Sequence, residues 1–182
     1  MFEELLRKRR SIRKFENTPI PKETVNRLIR TALLSPSSRN IRPWRFIVVE
    51  DPARIGRLAQ CKTHGSGFLK TAKVAVAVLA EIDASDVWVE DTSIAAAVLL
   101  FQAEALGLGA CWCQVRKRFH QDEVTSESYV RSVLDVPESF SVAAIIGIGV
   151  PGEQVSPYTD ADLRFEKVFR DDFQTPFFKN PA

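Results

Sequence analysis

The sequence is poor in the residues on which most nucleophilic and metal-dependent enzymes rely, with two histidines and three cysteines in 182 residues. It contains no GxSxG nucleophile elbow, no HExxH metal motif and no GxxxxGK[ST] phosphate-binding loop. His64 and His120 are far apart in sequence and match no zinc-ligand spacing. These absences argue against a Ser–His–Asp hydrolase, a zinc protease and a P-loop nucleotide site. We therefore predict no metal ion and assign no catalytic side chain.

The few cysteines also argue against a disulfide-stabilised protein. Their number is odd, and Cys111 and Cys113 are separated by one residue, so they would share one face of a strand and a direct bridge would be strained. We predict that both are small, buried, reduced thiols.

Long hydrophobic runs and strong net charge are missing as well. The longest apolar run, IAAAVLLF at 94–101, is far shorter than the roughly 20 residues that span a bilayer, and the amino terminus lacks a signal-peptide pattern. A net charge of +2 gives no reason to expect nucleic acid as a partner. We predict a soluble, cytoplasmic protein that binds neither membranes nor nucleic acid.

What the sequence does contain is a series of helix and strand patterns typical of an α+β protein. Apolar periodicity and capping signals predict helices at 21–34, 52–60, 91–107 and 126–136. Runs rich in β-branched and apolar residues predict strands at 45–50, 73–80 and 142–150; the second is apolar on both faces and therefore buried, and the third is the last core strand. With no repeat and no low-complexity linker, we expect a single domain over residues 1–182, with a central mixed sheet flanked by helices.

The predicted helix at 91–107 is unusual because it is apolar on nearly every side. Between Ile94 and Leu106 only Gln102 and Glu104 are polar. Such a helix must be covered on most sides, and a small domain has few elements to cover it. We predict that a second subunit does so; the alternative is a central helix buried within the monomer.

A cluster of cations lies near the amino terminus. RKRRSIRK at 7–14 holds six cations in eight residues. Guanidinium groups and the Ser11 hydroxyl suit a dianionic phosphate. A solvated basic face is the main alternative; a nucleic-acid arm is disfavoured because Phe15 is the only aromatic residue nearby.

Two connections are rich in groups that could bind a polar ligand. LSPSSRNIRPWRF at 34–46 places three serines and Asn40 before a predicted strand, and GLGACWCQV at 107–115 leads from a helix into an apolar run. Either loop alone is ordinary turn chemistry. Their combination with the basic cluster is hard to explain as packing.

Four segments, in this order, resemble the short form of the FMN-dependent nitroreductase family. They are RRSIRKF, SPSSRNIRPWRFIVV, DTSIAAAVLLFQAEALGLGACW and IIGIGVP, which together span residues from about 5 to 152. The resemblance implies a homodimer with an α+β sandwich fold and one FMN in each of two clefts at the subunit interface. It also implies that the C-terminal tail, residues 151–182, wraps the partner subunit.

By position, the resemblance assigns cofactor-binding roles to several groups of residues. One group would hold the phosphate and ribityl chain of FMN, a second would reach the flavin of the other subunit, and a third would lie along the ring near N5. Less specific are Gly149, behind the ring, and Lys167, a possible second cation for the phosphate. The group for the phosphate and ribityl chain is Arg9, Arg10, Ser11 and Arg13. The group for the flavin of the other subunit is Pro36, Ser37, Ser38 and Asn40, and the group near N5 is Gln114 and Val115.

The implied activity is a ping-pong transfer of hydride from NADH or NADPH, by way of FMN, to a small-molecule acceptor such as a nitro compound or a quinone. The alternatives are a same-fold enzyme with one narrow substrate (a dehalogenase, an ene-reductase or a flavin-modifying enzyme) and a non-catalytic flavin-binding module. One departure is that the stretch KTHGSGFLK has His64 or a glycine where family members often carry the Asn and Lys near flavin N1. We expect that one of Lys62, Lys70 or Lys73 replaces the missing cation.

Overall fold

The computed structural model describes residues 1–178. Its helices are α1 (Phe2–Lys8), α2 (Lys22–Ala32), α3 (Pro52–Leu58), α4 (Trp88–Ala105) and α5 (Ser126–Leu134). Its strands are β1 (Trp44–Val49), β2 (Val74–Glu81), β3 (Gly109–Gln114), β4 (Phe119–Gln121), β5 (Val124–Thr125) and β6 (Phe140–Gly149).

Four of the strands form one sheet in the order β1-β2-β6-β3, and every neighbouring pair is antiparallel. The basic segment, residues 9–13, adds one parallel bridge, from Ser11 to Ala110 of β3, which makes the sheet mixed at that edge. β4 and β5 form a separate hairpin. In both central strands, all but one residue is buried, as the absence of polar alternation predicts.

Helices cover both faces of this sheet. On one face α2 and α4 pack against residues such as Val76 and Ile146, while α3 and α5 cover the other face around Leu79 and Ile145. The predicted α+β sandwich with a central mixed sheet is confirmed.

The capping signal before α3 is realised in the structure. The Asp51 side chain accepts hydrogen bonds from the amides of Ala53 at 3.2 Å and Arg54 at 3.1 Å, and Pro52 occupies the first helical position. The predicted helix at 91–107 extends one turn further at its start, to Trp88, and ends at Ala105. The β4–β5 hairpin was not predicted.

α4 is only partly covered by its own chain. Ala96, Leu99 and Ala103 are fully buried against the sheet and α2, whereas Ile94 is 41% exposed and Phe101 is half-buried. The described residues therefore leave one apolar side of α4 open to water. The alternative of a helix wholly buried within the monomer does not fit, and the second subunit stays a prediction.

The C-terminal segment first follows the body of the domain and then packs on itself. Tyr158 donates its amide to the Arg7 carbonyl at 2.9 Å, and Asp160 forms an ion pair with Arg7 at 2.6 Å. Beyond it, aromatic rings pair with one another, as in Phe165–Phe178 and Phe169–Phe173. The last four residues of the predicted tail lie outside the described residues.

The three cysteines are buried and free, with the Sγ atoms of Cys61 and Cys113 3.8 Å apart. Among residues 1–178, no cluster of His, Cys, Asp and Glu side chains is arranged to hold a metal ion. Within the same range, we find no helix that combines the length and the hydropathy needed to cross a bilayer.

One glycine pattern in the sequence invites a nucleotide-binding interpretation that the fold does not support. The letters GIGVPG at 147–152 match GxGxxG. In the structure they end β6 and continue into the irregular tail, whereas a dinucleotide fingerprint joins a strand to a helix.

Candidate functional site

The basic segment Arg9–Arg13 is fixed along the edge of the sheet. Ile12 is buried and donates its amide to the Ala110 carbonyl of β3 at 3.1 Å. Gly109 permits this close approach, because a Cβ placed there would lie 2.8 Å from Cγ2 of Ile12. The segment therefore has a defined position beside the first residues of β3.

Three cations act electrostatically on one buried residue of this edge, Cys111. Burial raises the pKa of the Cys111 thiol, while the charges of Arg13, Lys62 and Arg9 and a hydrogen bond with Ser11 act in the opposite direction. Within residues 1–178 none of these three cations forms an ion pair, while the carboxylates of Glu153 and Glu104 interact electrostatically with Arg13 and Arg9.

Arg10, also predicted to bind phosphate, contacts the C-terminal segment instead. Its guanidinium donates to the Ser156 carbonyl and lies 4.1 Å from the centroid of the Tyr158 ring. The structure thus separates Arg10 from the other cations of the cluster, and its role in phosphate binding stays a prediction.

The far end of β3 presents a free backbone donor. β3 is the last strand of the sheet, and among residues 1–178 only the Ser11 bridge pairs with its outer edge. Val115 donates its amide inward, to the Ala143 carbonyl at 3.3 Å, so alternation turns the amide of Gln114 outward. The Gln114 side chain is fixed, since it accepts from Nε1 of Trp112 and donates to the Arg116 carbonyl, each at 2.9 Å.

The serine-rich loop, residues 34–43 between α2 and β1, is anchored to the start of α4. Ser38 donates its amide to Oδ1 of the buried Asp91 at 2.8 Å, and the Ser85 hydroxyl donates to the other carboxylate oxygen at 3.2 Å. Within the loop, Ser37 Oγ accepts from the amide of Arg42 at 2.9 Å.

This loop has an uncommon backbone. Arg39, Asn40 and Arg42 adopt φ angles of 50°, 55° and 53°, in the left-handed region that residues other than glycine seldom occupy. Asn40 Oδ1 accepts from Nε of Arg42 at 2.7 Å, which helps to hold this conformation. Pro36 lies exposed at the beginning of the loop. Strained loops of this kind cluster at functional sites, although strain alone assigns no function.

The predicted site residues of the serine-rich loop and those of the basic segment lie at opposite ends of α4. The loop contacts Asp91 in the first turn, while the charges of Arg9 and Lys8 act on Glu104 near the last turn. At 1.5 Å per residue these positions are about 20 Å apart along the helix axis. One chain therefore does not bring its two groups together.

Gly149 and Lys167 contribute least to this geometry. Gly149 leaves room for the Phe15 ring, because a Cβ at 149 would lie 2.8 Å from it. Lys167 is exposed in a short turn of the tail, Phe165–Lys167. Their predicted roles in cofactor binding stay predictions.

The structure distinguishes the three lysines that were proposed to supply the cation near flavin N1. Lys73 donates to Oδ1 of Asn17 at 2.5 Å, and Lys70, unlike Lys62, is not among the cations that act on Cys111. Lys62 is therefore the one that acts on β3.

Sequence reasoning missed one acidic residue at the site. Glu153 accepts from the amides of Arg13 at 2.5 Å and Lys14 at 3.1 Å, and the bond from Arg13 lowers the pKa of this carboxyl. No local signal marks Glu153, because it lies 140 residues from Arg13 in the chain.

Comparisons with known proteins identify the family of the chain. The model of the nitroreductase family matches residues 6–62 and 54–150. The structure of an FMN-dependent nitroreductase from Clostridium difficile superimposes with a TM-score of 0.93 at 44% identity, covering 94% of this chain and 99% of that one.

Two curated relatives extend the comparison. A provisionally named NADH dehydrogenase/NAD(P)H nitroreductase from Archaeoglobus fulgidus is 33% identical over 161 residues, which cover 86% of this chain and 88% of the relative. A 5,6-dimethylbenzimidazole synthase from Rhodospirillum rubrum is 30% identical over 181 residues, covering 80% of each chain. The chain belongs to the nitroreductase family.

Proposed function

We propose that the protein is an FMN-dependent oxidoreductase that takes hydride from NADH or NADPH and reduces nitro compounds, quinones or related acceptors in a ping-pong reaction. One observation carries the proposal. A single sheet edge carries the basic segment, which bonds to Ala110 of β3, and an outward backbone donor, the Gln114 amide, further along the same strand.

The residues present fit FMN in charge and in hydrogen-bonding capacity. Arg9, Arg13 and the Ser11 hydroxyl would hold the dianionic phosphate and the ribityl chain. The amide of Gln114 would donate to a ring nitrogen, and Lys62 supplies a cation for the pyrimidine end of the ring. When bound, FMN supplies the redox chemistry, and the protein positions it and tunes its electronics.

We further propose that each site is completed by a second copy of the chain. The serine-rich loop and the basic segment are separated by most of the length of α4, so a two-fold dimer with antiparallel α4 helices would place one copy's loop beside the other copy's cations. Apolar residues left exposed near α4 support this arrangement, since a partner would bury them: Phe2 is 62% exposed, Leu34 82% and Ile94 41%.

The tail fits the same proposal. Phe173 is 78% exposed and Phe177 45% exposed, and their rings contact other residues of the tail. A segment with so many exposed aromatic rings is stabilised by a surface that buries them, and we propose that the partner subunit provides it. A location in the cytoplasm is part of the same proposal.

A second candidate is a flavoenzyme of the same fold with one narrow substrate. It is favoured by the similarity to a 5,6-dimethylbenzimidazole synthase, a relative with a different named activity. The two candidates share the cofactor and differ in the range of acceptors.

The experiment is an anaerobic reduction of the FMN-loaded protein. We expect that flavin-free protein gains a flavin absorption band with FMN, that NADH or NADPH bleaches this band, and that nitrofurazone or menadione restores it. Restoration by several unrelated acceptors favours the broad reductase, and restoration by none favours the narrow-substrate enzyme. A protein that binds no FMN, or whose bound FMN neither nicotinamide reduces, contradicts the proposal.

A further inference from the structure

A cavity of about 330 Å³ lies beside the proposed flavin edge, between the loop that follows α3 and the β4–β5 hairpin. Its polar wall includes Lys62, Thr63, Ser66, Lys70 and His120. None of these residues was assigned a substrate role above, and only Lys62 belongs also to the proposed cofactor site.

The wall is held in place by hydrogen bonds within the chain. The buried Ser66 hydroxyl donates to the Ala59 carbonyl at 2.8 Å, and the Thr63 hydroxyl donates to the His120 carbonyl at 3.0 Å. The His120 ring stacks on Tyr129 with centroids 4.0 Å apart. The cavity is therefore built by fixed groups and needs little rearrangement to receive a ligand.

The charge of the wall is of one sign. Among the described lining residues none carries a carboxylate, and within residues 1–178 neither Lys62 nor Lys70 forms an ion pair. His120 Nδ1 lies 2.6 Å from the Gln60 carbonyl, which can only accept, so Nδ1 carries the proton and donates.

The cavity adjoins the end of β3. A tight turn, in which Arg118 donates its amide to the Val115 carbonyl at 3.1 Å, leads from Gln114 directly into the hairpin that forms one wall. Lys62 lines the cavity and also acts on Cys111 of β3. A substrate at the free end of the flavin edge could thus extend a negatively charged group into the cavity.

We propose that this cavity binds the carboxylate of the electron acceptor through the ammonium group of Lys70, so that carboxylate-bearing aromatic acceptors are the preferred substrates. The inference rests on the proposed function, because it concerns the second substrate of that reaction. Its physical basis is the pairing of an anion with cations whose charge no acidic group neutralises.

The test compares two acceptors of nearly the same shape, 4-nitrobenzoate and 4-nitrobenzamide, with the FMN-loaded protein and NADH as donor. We expect the wild type to show a higher kcat/KM for 4-nitrobenzoate. In Lys70→Gln this preference should fall by roughly five- to tenfold, mainly through KM, with unchanged flavin content. Lys22→Gln on α2, which lies on the opposite face of the sheet, is the matched control and should keep the wild-type ratio.

A binding measurement distinguishes failure of the cavity assignment from failure of the proposed function. Benzoate titrated into the protein by calorimetry should bind to wild type and to Lys22→Gln, and markedly more weakly to Lys70→Gln. If benzoate binds in this way but neither NADH nor NADPH reduces the bound FMN, the cavity assignment stands and the proposed function fails.

Three results overturn the assignment. The first is equal turnover of both acceptors with no effect of Lys70→Gln. The second is loss of flavin from Lys70→Gln, which would make the cavity part of the cofactor site. The third is a rise in KM for NADPH and not for NADH, which would assign the anion to the phosphate of the donor.

Discussion

At the scale of single residues, Arg13 is the clearest test of the phosphate site. Arg13→Ala should weaken FMN binding by roughly ten- to a hundredfold, because one charge-assisted hydrogen bond contributes about 1.5–3 kcal/mol. A fluorescence titration of flavin-free protein with FMN measures this. Lys14→Ala removes the same charge from the neighbouring position, which is not among the cations that act on Cys111, and should have little effect. Equal losses in both variants would indicate a general effect of positive charge instead of a defined site.

Ser38 and Lys62 show which parts of the candidate site could be predicted from the sequence and which could not. The position of Ser38 in a polar connection marked it as a candidate in the sequence, but its anchor, Asp91, lies 53 residues away. Lys62 was one of three lysines that the sequence could not separate, because the choice depends on which of them folds back towards β3. Local sequence patterns therefore identify candidate site residues, but contacts between residues that are distant in sequence determine which of them lie at the site.

At the scale of elements, the contact between the serine-rich loop and α4 depends on one buried carboxylate. Asp91→Ala removes the acceptor of the Ser38 amide and the Ser85 hydroxyl, and each buried donor left unpaired costs about 1–3 kcal/mol. We expect the free energy of unfolding to fall by at least that amount in urea denaturation. Glu90→Ala, an exposed neighbour in the same turn, should stay within about 0.5 kcal/mol of wild type. A loss as small as that of Glu90→Ala would mean that Asp91 does not anchor the loop.

A pair of glycines tests the packing of elements around the sheet. Gly149→Ala forces a Cβ to within 2.8 Å of the Phe15 ring and should destabilise the protein by about 1–3 kcal/mol. Gly56→Ala, inside α3, meets nothing within 4 Å and should stabilise it by about 0.5–1 kcal/mol. Thermal unfolding should therefore shift in opposite directions. Shifts of the same sign would contradict the close approach of Phe15 to β6.

The elements of the main sheet were largely predictable, whereas the hairpin was not. Buried strands such as β2 and β6 are continuous apolar runs, and α3 has a cap that can be recognised in the letters DP. β4 and β5 have three and two residues and no apolar alternation, so nothing local distinguishes them from a loop. The cavity that this hairpin helps to form could not be predicted for the same reason.

At the scale of the whole molecule, α4 connects the fold to the proposed site. Its apolar sequence predicted a partner, and the structure adds that the two groups of site residues lie near its two ends. The pattern of one helix cannot reveal this separation, because it depends on where the basic segment and the loop dock. A shared site in a two-fold dimer accounts for both observations.

Light scattering during size-exclusion chromatography of the FMN-loaded protein, with detection of flavin absorbance, tests the shared site most directly. The account predicts one species of twice the 20.5 kDa chain mass that carries two flavins. A species of a single chain mass that retains its flavin through the column would contradict it.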